Sequence, residues 1–225
     1  MLVNPDFSKR VAITPEQYRW VTSPQGGVER MMLDRLGGEQ ARATSIVRYA
    51  KASRFPRHTH PGGEEILVLS GTFSEEGHDY PAGWYLRNPP GSSHHPSSRD
   101  GAMLFVKLRQ MPSSETQVIR IYTRDPFRWT TRNGREACLL FADAAERVTL
   151  ERLVAGQRLF GHPVAGGAEL LVLEGGLNEG EHGYARGSWI RLPAGEHADF
   201  VAGADGATLY LKTGHLAVHG TSGTW

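Results

Sequence analysis

The chain has 225 residues and carries 25 Lys and Arg against 24 Asp and Glu, a formal net charge of +1. That balance excludes the basic excess of a nucleic-acid-binding surface; no apolar run approaches the roughly 18 residues of a membrane helix; and one cysteine, Cys138, excludes an internal disulfide and a Cys-x-x-Cys metal site. With 39% hydrophobic residues the chain can bury a core, and it reads as a soluble, cytoplasmic protein with neither nucleic acid nor membrane as partner.

Residues 1–10 have no apolar signal-peptide core. Val11–Val47 follows with Val11 to Ile13, Trp20 to Thr22, Val28 and Met31 to Leu33, too few apolar residues for a core of its own. It is expected to add strands to the first β-sandwich, and its strand edges to favour pairing with a second subunit. Gly27–Leu36 fits either a short helix or a strand. Beyond it come short apolar runs, Ile66 to Leu69, Met103 to Val106, Leu170 to Leu173 and Thr208 to Leu211, each bounded by Gly, Pro, Asp or Ser. With 27 Gly and 13 Pro and few helix-period patterns, this reads as all-β, a sandwich or barrel. The polar, proline-bearing Pro112–Thr116 places a boundary that divides the chain into 1–114 and 115–225.

The two halves repeat each other. Shifted by 104 positions, His58–His94 overlays His162–Ala198 without a gap, and 15 of the 37 pairs are identical. They include Glu65/Glu169, Gly71/Gly175, His78/His182, Gly83/Gly187, Arg87/Arg191 and Gly91/Gly195. Two copies of about 100 residues make a duplicated β-domain and not a solenoid. Glycine at the same place in both copies points to turns where a Cβ would clash.

The first copy holds a histidine constellation. His58 and His60, two apart, leave the same face of a strand, and Glu64 keeps that parity. A turn over Asn88 to Ser93 precedes His94, so a returning antiparallel strand would bring His94 opposite the pair. Three imidazoles and a carboxylate suit Zn, Fe, Mn, Ni or Cu, and do not suit Ca or Mg. The second copy has Val164, Ala168 and Ala198 where the first has His60, Glu64 and His94, yet keeps Glu169 where the first has Glu65. Glu64 therefore goes with the histidines as a ligand, and Glu65 has a structural task, a bond to Arg87. The second copy is expected to fold alike and to bind no metal.

These residues carry a resemblance. His58-x-His60-x3-Glu64-x6-Gly71 and Gly83-x5-Pro89-x-Gly91-x2-His94 resemble the two cupin motifs, with Ala52 at the place of the leading glycine and Ser98 at that of the final Asn. The text around them, over residues 1–110, is similar to the cupin domain of ChrR-type anti-sigma factors. The resemblance implies two tandem cupin (jelly-roll) barrels, a bicupin. In the first barrel it implies one divalent transition metal on His58, His60, Glu64 and His94, zinc foremost, with iron, manganese or nickel as alternatives. ChrR-type factors hold their sigma factor through a helical N-terminal domain with His and Cys zinc ligands; this chain shows no such domain, so sigma-factor binding is not expected.

Other residues read as ordinary. His95, His78, His182, His215 and His219 are expected to be structural or solvated, His162 and His197 to flank the mouth of the second barrel, and Cys138 to be a buried core thiol. No nucleophile–base pair or phosphate loop is present, and no catalytic residue is assigned. Two functions remain: a ChrR-like sensor or regulatory module responding to an oxidant or small ligand, which the resemblance implies first, and, as the alternative, an Fe(II)- or other metal-dependent dioxygenase-type enzyme acting on a small substrate.

Overall fold

The computed structural model describes residues 1–23, 26–38, 40–132 and 134–217. Among them every regular element is a strand, apart from the short 3-10 turns Pro15–Gln17 and Pro126–Arg128. The residues fall into two compact units, Met1–Pro5 with Arg19–Arg124, and Asp6–Tyr18 with the chain from Asp125 onward.

In the first unit, antiparallel strands run in the order Leu2–Val3, Val28–Leu36, Arg42–Tyr49, Ala102–Leu108, Glu64–Glu75, Trp84–Asn88, Ile119–Tyr122. In the second the order is Trp129–Arg132, Arg135–Ala142, Arg147–Leu153, Val201–Thr213, Ala168–Glu179, Trp189–Leu192, Val11–Ile13. The long strands Glu64–Glu75 and Ala168–Glu179 occupy the same place in their units and lie 104 residues apart, as the repeat requires. Each unit is a jelly-roll barrel of the cupin type.

The long strands change partners along their length. Up to Gly71, Glu64–Glu75 pairs with Trp84–Asn88 and Ala102–Leu108; beyond it, Thr72–Glu75 pairs with His78–Pro81. Gly71 has φ +69, and a Cβ there would stand 2.0 Å from the Gly101 carbonyl oxygen; Gly175 repeats this with φ +65 and 2.1 Å to Gly206 O. Only glycine turns this corner without strain.

Val28–Leu36 is a strand and not a helix. It pairs with Arg42–Tyr49 on one edge and with Trp20–Thr22 and Leu2–Val3 on the other, and inter-strand bonding decides a stretch too short to hold as an isolated helix. The pairing also departs from a single cut between 114 and 115. Ile119–Tyr122 runs beside Trp84–Asn88 in the first unit, and Val11–Ile13 beside Trp189–Leu192 in the second. Of the stretch 11–47, only the part from Arg19 joins the first unit.

The interiors differ in kind. The first buries Val28, Val47, Ile66, Phe73, Leu86 and Leu104. The second buries Leu170, Val172, Ile190 and Phe200 together with Val164, Ala168 and Ala198, so the residues at the ligand positions of the repeat are core side chains. Both units also bury a charged tier. Glu65 is in register with Arg87 on one neighbouring strand and Lys107 on the other, as Glu169 is with Arg191 and Lys212. Arg87 donates to Glu65 at 3.2 Å, the bond expected from the repeat.

Candidate metal centre

The short strands His58–His60 and Ser92–His94 pair antiparallel, with His94 directly opposite His58 and Ser92 opposite His60. The alternation of side chains along each strand turns all three imidazoles to one side. Their ring centroids lie 4.8–4.9 Å apart, and one nitrogen from each falls within 4.8 Å of the others. His60 Nε2 and His94 Nε2 face each other at 2.9 Å. Among the described residues these three histidines are the one cluster of His, Cys, Asp and Glu arranged to hold an ion.

The far ring nitrogens are held. His58 Nδ1–H donates to the Pro56 carbonyl at 3.0 Å, and His94 Nδ1–H donates to Glu75. A donor at Nδ1 leaves the Nε2 lone pair facing inward, the tautomer a metal ligand needs. Burial lowers the His58 pKa, and burial and the neighbouring His94 lower that of His60 to about 4, so His60 is neutral at pH 7. The His94 pKa is raised: burial, the largest single influence, opposes this, and the bond to Glu75 together with the negative charges of Glu64, Glu75 and Glu76 outweighs it.

Glu64 begins the long strand beside them and is buried. Its Oε2 lies 3.5 Å from His60 Nε2 and 3.6 Å from His94 Nε2 and has no hydrogen-bond donor. Burial raises its pKa, while the Asn88 side chain hydrogen-bonds to it. A buried acceptor without a donor, aimed at inward lone pairs, is a costly arrangement in an empty interior and a favourable one around a cation. The donor set of imidazole nitrogens and one carboxylate fits a divalent transition metal.

Two residues behind the cluster escape the motif spacing. Arg120, on Ile119–Tyr122, donates to Glu75 Oε1 at 2.7 Å and to Asn88 Oδ1 at 2.6 Å. It thereby anchors the partners of both His94 and Glu64. The available signal was the identity Glu75/Glu179 in the repeat. In the second unit Glu179 takes a guanidinium too, from Arg10 at 3.2 Å.

The remaining histidines lie outside this cluster where they are described. His78, His95, His162, His182 and His197 are exposed. His215 is buried with Nε2 3.4 Å from Glu169; His219 lies outside the described residues. Cys138 is buried, which raises its pKa.

A cavity of about 70 Å³ opens inside the first barrel beside His58, His60 and Glu64. Its walls are mainly apolar, Val28, Val47, Phe55, Phe73 and Leu104 among them, with Tyr49 and Arg30 as further polar members. Trp84, Leu86 and Asn88 share one face of their strand; Leu86 lies in this core with Trp84 packed against it, while Tyr85 and Arg87 are fully buried on the opposite face.

Residues 8–112 match the family model described as ChrR Cupin-like domain. No curated protein matches the chain. Among solved structures, a candidate dioxygenase from Nostoc punctiforme is similar with a TM-score of 0.74 at 13% identity, covering 93% of this chain and 84% of that one. The bacterial pirin YhhW of Escherichia coli, in complex with nickel(II), gives 0.65 at 11% identity, with 91% and 98% covered. A Cupin 2 conserved barrel domain protein from Leptotrichia buccalis gives 0.57 at 16%, with 86% and 91% covered. At such identities the likeness is one of fold.

Proposed function

We propose that the first unit holds one divalent transition metal on His58, His60, His94 and Glu64, and that the protein is a metal-dependent enzyme of dioxygenase type acting on a small substrate. The observation that carries the reading is the convergence of three inward imidazole nitrogens and a buried carboxylate oxygen, Glu64 Oε2, that has no donor, beside an internal cavity of about 70 Å³. Such a metal supplies Lewis-acid or one-electron chemistry at the coordination positions the protein leaves open. The chain's own part is to fix the ligand tautomers through Pro56 and Glu75, to keep His60 neutral, and to exclude bulk water with apolar walls. A candidate dioxygenase and a nickel-bound pirin among proteins of this fold support the reading.

A second reading, a sensor or regulatory module responding to an oxidant or small ligand, draws on the match of residues 8–112 to the ChrR cupin model and on the small cavity. Elemental analysis and oxygen-consumption assays test both. His60→Ala should lose at least about tenfold in metal affinity, and unchanged occupancy in that variant overturns the metal site. Oxygen uptake by the Fe(II)-loaded protein with small organic substrates favours the enzyme, and metal binding without turnover favours the sensor.

A further inference from the structure

The strand Val28–Leu36 points Val28 into the barrel core, and Arg30, two residues on, takes the same face. An arginine at an inward position of a small barrel needs an explanation, because long cations are seldom buried without a partner. Arg30 is half-buried, lines the cavity beside the histidines, and has no hydrogen bond or ion pair among the described residues. Other arginines of this unit do have partners: Arg48 holds Glu29 at 2.7 Å, Arg42 lies 3.6 Å from Asp34, and Arg120 holds Glu75 at 2.7 Å. Glu64 is the one acid lining the cavity, and its free oxygen faces His60 and His94.

Tyr49 stands on the next strand, where it is in register with Val28, and its ring packs on Phe55 and Phe73 at 5.7 and 6.0 Å. Its hydroxyl has no hydrogen-bond partner among the described residues, and it lies within electrostatic reach of both Arg30 and Glu64. The cavity thus has a carboxylate-and-imidazole side, an unneutralised guanidinium, a spare hydroxyl donor, and hydrocarbon between them.

We infer that Arg30 and Tyr49 receive the carboxylate of a short-chain organic acid whose other end reaches the metal centre, so that the substrate or effector class is a small carboxylate. The inference rests on the metal reading above. A guanidinium offers paired N–H donors that match a planar carboxylate, and such a ligand neutralises a charge otherwise held half-buried without a counter-ion. The volume of about 70 Å³ accommodates on the order of two or three water molecules, which limits the acid to very few carbon atoms unless the walls move. The apolar walls fit its hydrocarbon part.

The test compares wild type, Arg30→Gln and Arg30→Lys with glycolate as probe and glycolamide as its neutral counterpart. Cobalt(II) content is measured first. In the cobalt-loaded proteins, glycolate should perturb the visible absorption of the ion saturably in wild type, at least tenfold more weakly in R30Q, and to an intermediate degree in R30K, with glycolamide inert. In the metal-free proteins, glycolate should raise the melting temperature of wild type and leave R30Q unmoved. Cobalt binding with equal glycolate response in wild type and R30Q overturns the inference and leaves the metal centre standing. Arg30-dependent stabilisation by glycolate in a protein that takes up no cobalt overturns the metal reading and retains the carboxylate pair. An equal response to glycolamide overturns the requirement for negative charge.

Discussion

Glu64 and Glu65 are adjacent, identical in chemistry and both buried, yet the strand sends them to opposite faces and opposite fates. Glu65 lies in register between Arg87 and Lys107 and is the nearer of two carboxylates on the buried Arg87, at 3.2 Å against 3.7 Å for Glu115. Glu65→Gln should therefore cost about 3–5 kcal/mol, seen as a lower urea midpoint with little change in slope. Glu64→Gln removes a buried carboxylate whose Oε2 has no donor; it should leave the melting temperature of the metal-free protein unchanged or higher and still reduce metal content severalfold, measured on the same sample. The division between these two glutamates is legible in the sequence, because the second repeat replaces one by Ala168 and keeps the other as Glu169. The roles of Arg120 and Glu75 are not. Their link to His94 and Asn88 depends on a strand pairing that no local spacing encodes.

At the level of the element, the turns decide what the strands can do. Gly71 lets one strand change pairing partners; Gly71→Ala combines a positive φ with a Cβ 2.0 Å from a carbonyl oxygen. It should cost about 3 kcal/mol or more, with thermal unfolding as the measure. Ala52 makes the converse case. It stands where the cupin motif has glycine and adopts φ +59, a conformation that costs a non-glycine residue about 1 kcal/mol. Ala52→Gly should be neutral or stabilising by up to about 1 kcal/mol, since glycine's greater freedom in the unfolded chain offsets part of the gain. Glycine pairs shared by the two repeats announce the turns. The strand Val28–Leu36 is ambiguous in sequence because a nine-residue apolar pattern fits both periods, and its neighbours decide the matter.

For the whole molecule, two repeats of which one lacks the ligand residues predict a stoichiometry. With Val164, Ala168 and Ala198 packed as core and His162 and His197 exposed, elemental analysis should find one metal equivalent per chain, and His94→Ala should abolish most of it. Two equivalents would mean that the second unit has a site of another design. The repeat makes the two-barrel plan legible; the membership of the edge strands is not, because an isolated run such as Val11 to Ile13 carries no address.

Those edge strands set an order of assembly. Val11 leaves the ribosome long before its partner Arg191 is made. The first barrel's edge, in contrast, closes soon after Ile121 is made, against Tyr85. During synthesis the first unit can thus acquire its edge strand and its histidine cluster early, while the segment around Val11 waits, unpaired, for most of the second unit. Contacts so distant in sequence close slowly, so refolding should show a late phase confined to the second unit, and a nascent chain stalled before residue 189 should expose the Val11 segment to proteases.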